Sequence, residues 1–251
     1  MSTYQFCSQK GKNGWLLLSL MFFTLSACVH ERPKTADPIA EDSHEYVDLG
    51  LPSGLKWATC NVGASSQYDP GDYFAWGETT TKSEYSVENS KTYGVKYRGD
   101  ISGYPDLDAA CANWGDKWRL PTRKEAEELI ENCRWIWIRS IGGWRGRGPN
   151  GNSIFLPVTG YCDATLGGRV SGLPGSRGII WYIVGRYWTA TPTQADASKG
   201  HAWSIRFIAT PELYPMDVDL YPMDVDRNDY GPILNGVGER NEGYAVRPVL
   251  D

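Results

Sequence analysis

Thr122-Arg123-Lys124-Glu125-Ala126-Glu127-Glu128-Leu129-Ile130-Glu131-Asn132-Cys133-Arg134-Trp135-Ile136-Trp137-Ile138-Arg139 changes its hydrophobic period partway along, and that change decides the fold class. Thr122 with Glu125 three residues on forms a capping box, in which each satisfies a backbone donor of the other's turn. Ala126, Leu129, Ile130 and Cys133 then recur at helical spacing and predict one buried face over residues 123–133. From Arg134 the period drops to two, as a half-buried strand requires over residues 134–139. A capped helix running straight into an alternating strand is a unit of an α+β fold.

The same signals extend outward. A first helix is predicted over Asp106–Asn113, starting on the Asp106 side chain and ending before Gly115. Aromatic and β-branched runs predict strands at 45–51, 55–62, 72–78, 153–158, 179–184, 186–191, 201–208 and 242–250. Residues 79–105, rich in Thr, Ser, Tyr and Gly, read as a long surface loop. About nine short strands and two helices without regular βα alternation give an α+β fold, mainly antiparallel, with long loops.

Residues 1–27 have the parts of an export signal: Lys10 and Lys12, an apolar run from Trp15 to Leu25, then Ser26 and Ala27. That run is shorter than the ~20 residues a membrane-spanning helix needs. Leu25-Ser26-Ala27-Cys28 resembles the lipobox of bacterial lipoproteins, whose cysteine receives a diacylglycerol thioether before cleavage. The expectation is a signal peptide over 1–27, lipidation (palmitate included) at Cys28, a flexible stalk over 28–44 and one folded domain over 45–251. Its expected location is the cell envelope, as an outer-membrane lipoprotein. Loss of residues 1–27 removes two lysines and no acid, taking the formal charge from −5 to about −7. A net negative chain without basic clusters in its sequence argues against nucleic acid or anionic lipid as main partner. The expected partners are the membrane, through the lipid, and a glycan or extracellular protein.

Leu213-Tyr214-Pro215-Met216-Asp217-Val218-Asp219 is repeated identically as residues 220–226. An odd insertion would reverse the faces of a strand, and Pro215 and Pro222 remove ladder donors, so the copies are expected in a loop over about 209–240. Tyr214, Asp217, Asp219, Tyr221, Asp224 and Asp226 are its candidate ligand contacts. The four acids read either as a solvated loop or as a calcium site of hard oxygen donors; calcium is the one cofactor considered. An EF-hand is not expected, because Asp229 and Asn235 stand where its loop needs Gly and Glu.

Cys60, Cys111, Cys133 and Cys162 remain after export, a count that suits two disulfides in three connectivities. Their wide spacing does not suit zinc.

Tyr46-Val47-Asp48-Leu49-Gly50-Leu51-Pro52-Ser53-Gly54-Leu55-Lys56-Trp57-Ala58-Thr59-Cys60-Asn61-Val62-Gly63, Trp118-Arg119-Leu120-Pro121-Thr122, Gly151-Asn152-Ser153-Ile154-Phe155-Leu156-Pro157 and Val246-Arg247-Pro248-Val249 together resemble the Fibrobacter succinogenes major paralogous domain. The resemblance implies a C-type-lectin-like fold, related in architecture to formylglycine-generating enzymes, on surface or periplasmic lipoproteins. Cys60 and Cys133 lie in family-like segments while Cys111 and Cys162 depart from the pattern, which favours Cys60 with Cys133 and Cys111 with Cys162.

No catalytic residue is expected. His201 is the only histidine within residues 45–251 and has no nucleophile signature beside it. Glu125, Glu127 and Glu128 read as the solvated, dipole-favoured start of a helix rather than a glycosidase pair. Gly142-Gly143 and Gly167-Gly168 read as turns, and Trp57, Trp76, Trp114, Trp118, Trp135, Trp181 and Trp188 as core. The leading expectation is a non-enzymatic, lectin-like binding module, an adhesin for glycan or protein. Its rivals are an envelope enzyme and a structural envelope protein.

Overall fold

The computed structural model describes residues 44–163, 170–171, 183–193, 200–209 and 233–251. They belong to one compact unit, Ala40–Asp251; a second unit, Met1–Ile39, lies outside them. Among the described residues there are two helices and fourteen short strands, an α+β fold whose named strand pairs are all antiparallel.

β1 (Tyr46–Asp48), β2 (Lys56–Ala58), β14 (Val249–Leu250) and β4 (Trp118–Arg119) form one sheet in the order β1-β2-β14-β4. Three of the family-like sequence runs therefore meet there, with Trp57 and Val249 opposite each other and fully buried. A second sheet joins β10 (Ile183–Pro192), β11 (His201–Ala209) and β12 (Ile233–Glu239). A third joins β3 (Phe74–Ala75), β13 (Gly243–Tyr244), β8 (Tyr161–Cys162) and β9 (Val170–Ser171), and a fourth β5 (Arg134–Ile138), β6 (Gly143–Arg147) and β7 (Ser153–Pro157).

β10 divides the interior. Successive strand side chains point to opposite faces, so Tyr187 enters a core with Trp57, Leu129, Leu156 and Phe207. Its neighbour Trp188 enters a second core with Phe74, Trp76, Leu120 and Tyr244.

α2 (Arg123–Asn132) forms as expected: Thr122 Oγ1 accepts from Glu125 N at 3.3 Å and Thr122 N donates to the Glu125 carboxylate at 2.7 Å. Ala126, Leu129 and Cys133 are buried and Ile130 partly so. α1 (Ala109–Trp114) is shorter than expected and is capped by Asp108, not Asp106, while Gly115 at φ 93° ends it. The reason for Asp108 is reach. Its carboxylate accepts from Ala110 N and Cys111 N in the helix, and also from Gly103 N and Leu120 N at 2.7 and 2.8 Å. One buried side chain thus joins three segments of backbone.

Residues 79–105 lack regular structure, as expected, but are not merely superficial. Tyr85, Thr92 and Ile101 are buried. Glu78 takes Lys82 Nζ and Lys91 N, both at 2.8 Å, and Thr92 Oγ1 donates to Trp76 O at 2.6 Å. Five strands were not expected: the two-residue β4, β8 and β9, then β6, whose Gly-Trp-Arg-Gly-Arg lacks a β-forming composition, and β12, which occupies the end of the expected 209–240 loop. His44, assigned to the stalk, stacks on Trp114 at 3.7 Å.

Candidate functional site

Several buried charges could be mistaken for chemistry, and their partners show what they do. Arg247 is 1% exposed, and its guanidinium donates to Asn61 Oδ1 (2.7 Å), Ala58 O (3.0 Å), Thr59 O (2.7 Å) and Phe155 O (3.1 Å). Burial pulls its pKa down, yet guanidinium starts so high that it stays charged. Arg240 donates to His201 O, Thr92 O and Val95 O and lies over Trp76 and Tyr97 at 4.5 and 5.0 Å from the ring centres. Both arginines bind neutral carbonyls, and Arg240 aromatic faces as well, which ties loops to sheets.

Arg186 is the centre of a mixed cluster. It lies over Tyr161 at 4.2 Å and Tyr244 at 5.1 Å and donates to the Tyr244 hydroxyl and, at 3.4 Å, to Glu242. Tyr244 donates to Glu242 and stacks on Trp188 at 4.0 Å. Burial raises the Glu242 carboxyl and the Tyr244 phenol above their ordinary values. Here cation, anion and phenol satisfy one another.

The β5-β6-β7 sheet differs. In its register Arg134 faces Arg147, Ile136 faces Arg145 and Arg147 faces Ser153. Directly opposed residues share a face, so Arg134, Ile136, Arg145, Arg147 and Ser153 stand together on the outer side, and all five are exposed. Trp135, Trp137 and Trp144 alternate to the inner side. Gly146 is needed there because a Cβ would fall 2.7 Å from the Trp135 ring, and Gly143 leaves room on the outer side for the Phe155 ring. Tyr68, 45% exposed, meets Phe155 edge-on at 5.3 Å. Among the described residues the side chains of Arg134, Arg145 and Arg147 have no hydrogen-bond or ion-pair partner. This corrects the expectation of a chain without basic clusters: residues 11 to 13 apart in sequence are brought together by the hairpin.

Cys28 and the loop residues Tyr214, Asp217, Asp219, Tyr221, Asp224 and Asp226 lie outside the described residues, as do Gly167, Gly168 and Trp181. Among the described residues no group of three or more His, Cys, Asp or Glu can hold a metal ion, and no helix is long and apolar enough to cross a membrane. His201 is half-buried at the start of β11. Trp57, Trp76, Trp118 and Trp188 are core, and Trp114 and Trp135 pack partly buried against it.

Neither of the two expected disulfides is formed; Cys60, Cys111, Cys133 and Cys162 are all free thiols. Their positions differ. Cys133 ends α2 inside the larger core, Cys162 sits in a small cluster with Ala75 and Tyr85, and Cys111 points its thiol at Gly103 O. Burial pushes Cys133 and Cys162 up to about 11.

No family model, curated protein or solved structure matches this chain.

Proposed function

We propose that this chain is an exported bacterial lipoprotein of the Fibrobacter succinogenes major paralogous domain type. It is tethered to the outer membrane through lipid on Cys28 and carries a C-type-lectin-like, non-enzymatic binding domain for a glycan or extracellular protein. The sequence around Cys28 supports the tether. The family reading is supported by the meeting of its sequence runs in one sheet, to which Arg247 adds the Gly151–Pro157 run by donating to Phe155 O.

The observation that carries the binding role is the contrast among the cations. Arg247, Arg240 and Arg186 are bonded to carbonyls, a phenol or a carboxylate inside the fold, whereas Arg134, Arg145 and Arg147 are held on a sheet with no hydrogen-bond or ion-pair partner among the described residues. Rigid scaffolds that present unsatisfied groups are the usual basis of recognition. The doubled heptad is a second binding element in this reading, with Tyr214, Tyr221 and the acids Asp217, Asp219, Asp224 and Asp226 contacting ligand directly or through calcium.

Two measurements test it. Cys28→Ala must abolish labelling by palmitate and release the protein from membranes; retained label overturns the tether. Deleting residues 220–226 is expected to leave the melting temperature nearly unchanged, since a shorter loop alters closure entropy by less than ~1 kcal/mol. The same deletion is expected to weaken binding in a glycan and host-protein panel, run with and without chelator. Unchanged binding removes the heptad from the site.

A further inference from the structure

We infer that the outer face of the β5-β6-β7 sheet is a docking site for an acidic polysaccharide, whose carboxylates are taken by Arg134, Arg145 and Arg147. This deepens the proposed binding role, rests on it, and names the ligand class for the arginine-bearing face.

Register sets the geometry. Arg134 and Arg147 are direct cross-strand partners, which places their Cβ atoms ~5 Å apart. Arg145 is two residues from Arg147 on the same strand and face, ~7 Å along it. The three arginines thus stand at three corners of a patch about 5 Å by 7 Å, with Ile136 at the fourth. Like charges directly opposed in a sheet are destabilising when nothing neutralises them. Here neither strand carries an acid: residues 134–147 hold Arg134, Arg139, Arg145 and Arg147 and no Asp or Glu. Among the described residues none of the three has an ion-pair partner, so the face carries a repulsion that a bound anion relieves.

Arginine suits carboxylate in particular, because its planar fork donates two parallel hydrogen bonds to the two oxygens. The rest of the face suits a sugar. Ile136 is 45% exposed beside Arg134 and Arg145, and Tyr68, packed edge-on over the buried Phe155 ring that lies opposite Arg145, adds an exposed aromatic. Serine 153, opposite Arg147, adds a hydroxyl that can both donate and accept.

The charge of the whole chain separates this occupant from the other polyanions. At −5, and about −7 without residues 1–27, the protein as a whole is repelled by an extended plane of negative charge such as an anionic bilayer. A single glycan strand meets only the local cationic patch.

The test uses the full lipoprotein in neutral detergent micelles with oligogalacturonate as probe and dextran as the uncharged control, titrated calorimetrically at several salt concentrations. Saturable binding to oligogalacturonate, weakening with salt, and none to dextran is the expected result. Arg145→Gln is expected to weaken it about tenfold, the usual scale for one charge-assisted contact. Glutamine at Arg134, Arg145 and Arg147 together is expected to abolish it. Lysine at the three positions keeps the charge and the salt dependence but loses the fork, and is expected to weaken binding about fivefold or more. All these sites are exposed, so melting should not fall, and Arg147→Gln should melt slightly higher because it removes the opposed charges. Undiminished binding by the triple glutamine variant overturns the inference, as does absence of oligogalacturonate binding, or tighter binding to phosphatidylglycerol vesicles or duplex DNA at the same salt. If these fail while Cys28→Ala loses its lipid and the heptad deletion weakens another ligand, the ligand assignment falls and the proposed function stands.

Discussion

Arg247→Met should unfold more easily by about 2–4 kcal/mol, a figure that follows from what methionine leaves behind. The guanidinium holds Asn61 Oδ1 and the carbonyls of Ala58, Thr59 and Phe155, all within 3.1 Å. Methionine fills similar volume but donates nothing, so four acceptors, three of them fully buried, lose their partner. Each orphaned polar group costs ~1–3 kcal/mol, with carbonyls at the lower end. Against this, the variant escapes the desolvation of a full charge, which amounts to several kcal/mol for a buried ion. The first effect wins because the acceptors come from two separate stretches of chain, residues 58–61 and Phe155, and cannot all turn to new donors at once. Arg247→Lys keeps the charge on a single nitrogen that cannot span the same four acceptors, and should lose about half as much. Urea unfolding followed by tryptophan fluorescence reads both. An Arg247→Met variant within ~0.5 kcal/mol of the parent, with an unchanged denaturant slope, would refute the reasoning, because the buried charge would then have been replaceable at no cost.

Asp108→Ala should lose about 2–4 kcal/mol in the same assay, because four backbone N–H groups from Gly103, Ala110, Cys111 and Leu120 are left without an acceptor. Burial raises Glu125, but the forked contact from Arg119 at 2.8 and 2.9 Å together with the hydrogen bonds from Thr122 more than offsets it, and the same arginine lowers Asp251. Both carboxylates therefore bind protons more weakly folded than unfolded, so they add stability above their ordinary values and lose it as pH falls through the depressed ones. Arg119→Met should flatten the acid limb of stability between about pH 5 and pH 3, measured by thermal melting. Iodoacetamide on the native protein should label Cys60 and leave Cys111, Cys133 and Cys162 unreacted, since these three are buried and burial raises their thiols. Mass spectrometry that finds Cys133 or Cys162 modified as fast as Cys60 would contradict that placement.

The parts of the fold legible in the sequence are those governed by neighbours. Thr122 and Glu125 cap α2 through three residues of chain, and the apolar spacing after them marks the buried face directly. Asp108 was missed as a cap because its choice over Asp106 depends on Gly103 and Leu120, which approach it only in the folded chain. β6 was missed because Gly143 and Gly146 weaken every local strand signal; they are there to admit the rings of Phe155 and Trp135. The arginine face was missed for the same kind of reason. Arg134 and Arg147 become neighbours only through the hairpin register. Buried Arg247 looked like part of a motif, but its four acceptors could not be read from Val246-Arg247-Pro248-Val249 alone.

The pairing of β14 with β2 sets the order of events in time. Arg247 reaches Ala58 across 189 residues, and the strand beside it closes the sheet that holds Trp57. Loop closure over such a distance must precede the contacts that reward it, and chains dominated by such pairings fold slowly. While the chain is still being delivered, residues 46–58 have only each other as a hairpin, and an isolated two-stranded hairpin is marginal in water. Its apolar side chains stay uncovered until residues 243–250 return to them. That interval is where a chaperone has something to hold, and where a mutation far from any surface can reduce yield without touching the finished molecule.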